Sequence, residues 1–334
     1  MDKHEHLGPW IRRFLLEHLI NERNLSPNTQ RSYRDTVAML LPFIATQLRK
    51  PLDQLEVGDV SGDCVRQFLT HLERTRNVSV ATRNQRLAAI HSLARFIAEY
   101  SPQHVAWYGQ VRTVPFKKSA RKLIPYLDKP EVEALLAVPD CTTNVGRRNY
   151  ALLLFLYNSG ARASEASNLC PADLDLGTAS HTGASVRILG KGSKIRRCPL
   201  WQKTAAELAR IVEGRPMNEH VFINQRGQPL TRFGVYGVLT ACVGQASVSV
   251  PSLRSKRVSP HTIRHSTATH LLRAGVDLNT IRSWLGHVSL DTTQVYAEID
   301  LEVKARALEK CNTADVKKTT VVAEGALMAF LRSI

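Results

Sequence analysis

Cysteine pairs, long apolar runs and acidic residues are all scarce in this 334-residue chain. Cysteines stand at positions 64, 141, 170, 198, 242 and 311, and no two of them form a CxxC pair. That spacing excludes a zinc knuckle and a disulfide framework, and it fits six thiols in a reducing compartment. The longest aromatic–aliphatic run, YALLLFLY at 150–157, is far short of the roughly 20 residues a membrane helix needs. It reads as a buried helix segment, and no membrane partner is expected. The opening residues lack the pattern of a signal peptide, so the expected location is the cytoplasm, in association with the nucleoid. Asp and Glu number 29 against 45 Lys and Arg, a formal net charge of +16. A deficit of that size favours a polyanionic partner, most often nucleic acid. A basic protein of any other kind would give the same figure, so charge by itself decides nothing.

Hydrophobic residues make up 43% of the chain, which is a globular composition, and the length suffices for two domains with separate cores. From about residue 7 to 108 the pattern is helical. In NLSPNTQRSYRDTVAMLLPFI, Ser26 is a candidate N-cap with Pro27 at the first helical position. Val37, Leu40, Leu41 and Ile44 follow the spacing of one apolar stripe. SVATRNQRLAAIHSLARFIAEY repeats the design with Leu87, Ile90, Ala94 and Ile97. Arg31 and Arg34, and Arg83 and Arg86, lie near the starts of these two helices and are candidates for gripping DNA phosphates. Solvated helix ends are the plainer alternative for any one of them. Three prolines and a run of bases then break the pattern. An interdomain linker is expected at 110–122, with Lys117, Lys118, Arg121 and Lys122 as further DNA-binding candidates. The first domain is thus 1–109.

The second domain, 123–312, opens with Asp128 as N-cap ahead of Pro130 and Glu131. SVRILGKGSKIRRCPL reads as two short strands around the turn GKGS, with Val186 and Ile188 alternating against Arg187. The rest is helical. The fold class is mainly α with a small antiparallel β-sheet: an all-helical domain followed by an α+β one. A tail over 313–334 ends in an amphipathic helix carrying Leu327, Phe330, Leu331 and Ile334. That face must be covered by the chain itself or by a neighbouring molecule.

The chemistry concentrates around SPHTIRHSTATHLL, 259–272. His261 and His265 are four apart, the spacing of a zinc-protease helix. The general-base Glu of that motif is replaced by Thr262, and Arg264 would repel a cation, so no metal is expected. Phosphate binding fits better. A guanidinium offers a planar fork of donors, His261 lies one turn earlier on the same side, and a helix start adds partial positive charge. Other groups complete a set. Arg162 starts a helix with Glu165 one turn on, Lys191 sits in the hairpin turn with Lys194 as its near alternative, and His287 and Tyr296 follow downstream. Phosphoryl transfer from DNA to a tyrosine needs these parts. Two arginines neutralise the transition state, a lysine protonates the leaving 5′ oxygen, histidines donate hydrogen bonds or manage protons, and a phenol attacks.

The ordered set Arg162, Lys191, His261-x-x-Arg264, His287 and Tyr296 resembles the signature of the tyrosine recombinase (phage integrase) family. LGHVSLDTTQVY is similar to that family's LGH…TTxxY box, and NLSPNTQRSY to the start of its core-binding domain. The resemblance spans roughly residues 7–310. It implies a two-domain C-shaped clamp around double-stranded DNA, with a helical core-binding (SAM-like) domain. It implies strand cleavage through a 3′-phosphotyrosine without metal, ATP or other cofactor. Arg162 and Arg264 would then bind the scissile phosphate, Lys191 act as general acid, His261 and His287 assist, and Tyr296 attack. Glu165 would support Arg162, and His265 would be structural. The resemblance also implies a homo-oligomer on DNA, a tetrameric synapse, with the C-terminal helix docked on a neighbour and related recombinases as further partners. Ala161, Ser167 and the AEI after Tyr296 depart from the common pattern. They point to a mobile-element branch, for integration, excision or transposition, more than to a chromosome resolvase of the Xer type. A type IB topoisomerase and a DNA-binding protein without activity are the competing classes.

Overall fold

The computed structural model describes residues 6–118, 125–177, 183–190 and 194–286. The chain divides into two compact units, residues 1–122 and 123–334, each with its own apolar core. The expected tail helix and Arg121 and Lys122 lie outside the described residues.

The described part of the first unit is helical. Helix α1 (Leu7–Arg13) runs directly into a more widely wound segment, Phe14–Glu22. Helix α2 (Pro27–Leu48) begins where its cap predicts: Ser26 is extended and its Oγ accepts from the Thr29 amide at 3.4 Å. Val37, Leu40 and Ile44 are buried, and Leu41 packs at the edge of the core. Helices α3 (Gly62–Arg76) and α4 (Val80–Tyr100) are capped in the same way by Ser61 and Ser79. The α4 stripe of Leu87, Ile90, Ala94 and Ile97 is buried. Helix α5 (Val105–Arg112) closes the unit.

The first unit holds the chain beyond the expected linker boundary at 110. Val111 and Val114 are buried in its core. Beyond them Arg83 Nη1 donates to the Pro115 carbonyl at 2.8 Å. Asn84 Nδ2 donates to the Lys117 carbonyl at 2.8 Å, and its Oδ1 accepts from the Lys117 amide at 3.1 Å. The Lys117 ammonium closes on the Glu73 carboxylate at 2.8 Å.

The second unit is a mixed domain. Helix α6 (Lys129–Ala137) carries the Asp128 capping box, with Glu131 Oε2 accepting from the Asp128 amide at 2.8 Å. Helix α7 (Asn144–Ser159) contains the apolar run and buries it. After the short helix α8 (Ala163–Ser167) come three strands: β1 (Leu174–Asp175), β2 (Ser185–Leu189) and β3 (Ile195–Pro199). They form an antiparallel sheet in the order β1-β2-β3. The β2–β3 hairpin matches the sequence reading; the two-residue β1 adds to it. Helices α9 (Gln202–Val212), α10 (Arg232–Ser249), α11 (Pro260–Arg273) and α12 (Leu278–Leu285) complete the described part of the unit. Helix α7 is central and packs against α6, α8, α9 and α11. It brings the end of α7, the start of α8 and the start of α11 to one place.

Candidate active site

Capping at both ends sets the frame of α11. The Thr262 amide donates to Ser259 Oγ at 3.2 Å, the Ser259 amide donates to Thr262 Oγ1 at 3.1 Å, and Pro260 fills the first position. With that start fixed, His261 falls on the exposed edge and Arg264 turns inward. Arg264 is 1% exposed. Its Nη1 donates to the Gly160 carbonyl at 2.6 Å and its Nη2 to the Leu285 carbonyl at 2.5 Å. Those carbonyls terminate α7 and α12, where the peptide dipoles leave partial negative charge. Two helix ends therefore face a buried cation and help compensate its charge.

Gly160 makes this joint possible. It caps α7 in the left-handed conformation, at φ +58°. A Cβ there would lie 2.4 Å from Leu285 Cδ2, so the close approach requires glycine as much as the dihedral does.

Arg162 stands just ahead of α8. Its amide donates to Glu165 Oε2 at 2.8 Å and its Nη1 to Glu165 Oε1 at 2.6 Å. The Arg162 side chain keeps 33% exposure, while that of Glu165 has 3%. A second guanidinium reaches the same carboxylate. Arg196 on β3 donates Nη1 to Oε1 at 3.2 Å, Nη2 to Oε2 at 2.8 Å, and Nε to the Trp284 carbonyl at 2.9 Å. Burial pushes the Glu165 carboxyl up, but the bonds and charge of Arg196, with those of Arg162, outweigh it and hold the group at about 2. Arg196 was not among the sequence candidates. Its strand offered one signal, a charged residue opposite the core position Ile188.

Crowding by neighbouring atoms, then the charges of Arg264 and Arg162, hold the His261 imidazole below its ordinary value. The shift favours the neutral ring, which can donate or accept a hydrogen bond. Its edge packs against His265 with ring centroids 4.6 Å apart. His265 is buried, and that burial, with the nearby His261 and Arg264, lowers it to about 4. Arg162, Glu165, His261 and Arg264 are thus brought to one neighbourhood. Lys191, His287 and Tyr296 lie outside the described residues, though the flanking positions are informative. Gly190, just before Lys191, sits so close that a Cβ would be 3.4 Å from Glu165 Oε1 and 3.5 Å from Arg196 Nη1. Gly286, just before His287, caps α12 at φ +66° and lies against the Arg196 side chain. Trp284 is half-buried and donates to the Asn158 carbonyl at 3.1 Å.

The DNA-binding candidates of the first unit separate into groups. Arg31, Arg34 and Lys118 are exposed, with Arg34 paired to Asp35 at 2.7 Å. Arg86 is half-buried and ties α4 to α2 through the Ser32 carbonyl at 3.0 Å and Thr36 Oγ1 at 3.1 Å. Lys117 is exposed but engaged by Glu73. Arg83 is 5% exposed and bonds to the Pro115 carbonyl and Asn84. Among the described residues no three His, Cys, Asp or Glu side chains are grouped to hold a metal, and no helix is long and apolar enough to cross a membrane.

A helical domain is followed by an α+β domain in which a buried carboxylate lies between two arginines, beside a His-x-x-Arg helix start, an arrangement whose chemistry suits an anion such as phosphate. Comparison with known proteins gives the family. The model of the phage integrase family matches residues 125–302, and that of the phage integrase N-terminal SAM-like domain matches residues 11–99. A Sinorhizobium fredii protein named as an integrase/recombinase, y4rC, is 40% identical over the full length of both chains. Tyrosine recombinase XerC of Pelobacter propionicus is 32% identical over 93% of this chain and 96% of its own. Among solved structures, XerH site-specific recombinase bound to a palindromic difH substrate superposes with a TM-score of 0.67. That match is 22% identical and covers 87% of this chain and 82% of XerH. The integrase of transposon Tn1549 with a circular intermediate DNA gives 0.65 at 17% identity, covering 89% and 98%. These two likenesses speak for the fold. The chain belongs to the phage integrase family, the tyrosine recombinases, enzymes that break and rejoin DNA strands.

Proposed function

We propose that this recombinase acts on duplex DNA at a specific site, with Tyr296 as nucleophile and Arg162 and Arg264 as the clamp on the scissile phosphate. The phenol oxygen attacks phosphorus, the bond to the 5′ oxygen breaks, and a 3′-phosphotyrosine forms. Lys191 gives the leaving oxygen its proton. His261 and His287 donate to the phosphate or take the phenolic proton. The phosphodiester bond energy is kept in the adduct, so religation by a 5′ hydroxyl needs no nucleotide cofactor. The two guanidiniums supply the charge neutralisation that a metal supplies elsewhere.

The observation that carries this reading is the paired arrangement of the arginines. Arg264 is immobilised by two helix termini, and Arg162 is steered by Glu165 while a third of its side chain stays open. A pre-aimed pair of cations costs no reorganisation when charge develops. DNA as partner draws further support from the bound substrates named for XerH and the Tn1549 integrase, and mobile-element DNA from the latter. A synapse of several copies, with the C-terminal helix docked between them and related recombinases as helpers, completes the proposal, as does a working place on the nucleoid.

The test is recovery of covalent protein–DNA adducts from cells expressing the chain, with sequencing of the trapped ends and Tyr296→Phe as control. Adducts clustered at one sequence and absent from the control are expected. Scattered adducts would indicate a topoisomerase, and adducts persisting in Tyr296→Phe would refute the nucleophile.

A further inference from the structure

Strand β3 carries a charged residue onto the inner face of the sheet. Ile195 is 59% exposed, and its cross-strand partner Leu189 is 63% exposed. The next residue, Arg196, faces inward beside the buried Ile188 with a side chain only 8% exposed. Cys198 and Leu200 share that inner face and are buried, so their register carries Arg196 inward with them. A cation brought onto a buried face needs partners there.

Inside, the guanidinium makes three bonds that join separate parts of the chain: two to Glu165 after α7, and one to the last turn of α12 at Trp284. Its side chain also lies against Gly190 and Gly286. These glycines are covalently joined to Lys191 and His287. Arg196 therefore touches the stretches that carry four of the six proposed catalytic side chains or their chain neighbours: Arg162 through Glu165, Lys191, His287, and Arg264 through the adjoining Leu285 carbonyl. Charge adds a second reason. Glu165 carries one negative charge and faces two guanidiniums, Arg162 from the start of its own helix and Arg196 from β3. With the buried Arg196 matching the carboxylate, the half-open Arg162 retains its charge for an anion. Without Arg196, Glu165 would neutralise Arg162 instead.

We propose that Arg196 is a positioning residue of the recombinase, holding Glu165, the end of α12 and Gly190 in one arrangement and leaving the group of Arg162, Glu165 and Arg196 with a net positive charge for the phosphate. This rests on the catalytic reading given above. The test uses the full chain and a DNA duplex bearing the sequence recovered at the adducts. Duplex affinity, the single-turnover rate of adduct formation and the melting temperature are measured for Arg196→Gln and Arg196→Lys. Arg196→Gln is expected to slow adduct formation roughly 100-fold, as loss of preorganised charge does, while the affinity changes less than about threefold, as expected for a step beyond binding. Arg196→Lys keeps the charge and one bond, and should recover at least about tenfold of the rate. Equal rates in Arg196→Gln and the parent, a loss explained wholly by weaker binding, or melting of both variants below the assay temperature would each overturn the proposal. Absence of adducts from the parent itself, or their survival in Tyr296→Phe, would instead count against the catalytic reading.

Discussion

Replacing Gly160 with alanine should damage stability and chemistry together. The residue sits at φ +58°, a conformation that costs an L-amino acid about 1–2 kcal/mol. Its new Cβ would lie 2.4 Å from Leu285 Cδ2, and relieving such overpacking typically costs a further ~1–3 kcal/mol. The sum is about 2–5 kcal/mol, which for a unit of this size lowers the melting temperature by roughly 5–15 °C. Moving Gly160 or Leu285 also moves the two carbonyls that hold Arg264, so the adduct rate should fall more than affinity for DNA. Differential scanning calorimetry of the full chain reads the first effect. The transition of the second unit should shift and that of the first unit should not. In a Leu285→Ala background the steric share should vanish, leaving only the ~1–2 kcal/mol dihedral share. A shift of under 1 °C for Gly160→Ala would refute the reasoning about this joint.

Two further predictions concern charge. The fold favours neutral His265, at about 4 against an ordinary 6.5, so its contribution is complete above pH 6.5 and is lost as pH falls toward 4. It favours ionised Glu165, at about 2 against 4.5, so that contribution is complete above 4.5 and is lost toward 2. Each is worth about 3 kcal/mol; urea midpoints should fall from pH 6.5 downward, His265→Asn should remove the upper limb, and a flat profile from pH 7 to 5 would contradict this. In the first unit, Arg31→Ala should weaken DNA binding and reduce the slope of log affinity against log salt by about one, as loss of a phosphate contact does. Arg83→Met should leave that slope unchanged and alter the melting of the unit instead, because its guanidinium is spent on Pro115 and Asn84. A slope change for Arg83→Met measured by salt titration would reverse that assignment.

What could be read from the sequence was local. Ser26 and Asp128 cap helices in the structure as read, because a cap is decided within four residues. The stripes of α2 and α4 and the β2–β3 hairpin follow from period alone. The hold on the chain beyond 110 and the burial of Arg83 were not legible, for one shared reason. Both depend on the chain at 111–117 returning to α4, more than 25 residues after Arg83, and no local pattern encodes that return. The exit of the first unit is written in an asparagine that imitates a strand partner. Arg196 was invisible for a related reason: its partners come from residues 165 and 284, so only the folded domain explains why it points inward. The families of motifs Arg162 and His261–Arg264 were legible as an ordered set, while their geometry had to come from the long-range bonds that hold them.

The burial of Arg264 bears on the hazard of carrying a DNA-cutting enzyme. Its anchors come from residues 160 and 285, far apart in the chain on either side of the sheet and five helices. A nascent chain still emerging from the ribosome, a proteolytic fragment or a thermally loosened molecule has the arginine without its two anchors. Such species still carry the positive charge that attracts DNA, yet lack an aimed clamp with which to break it. On the proposed role of Arg264, cutting requires the finished fold, and damaged molecules would spare the genome.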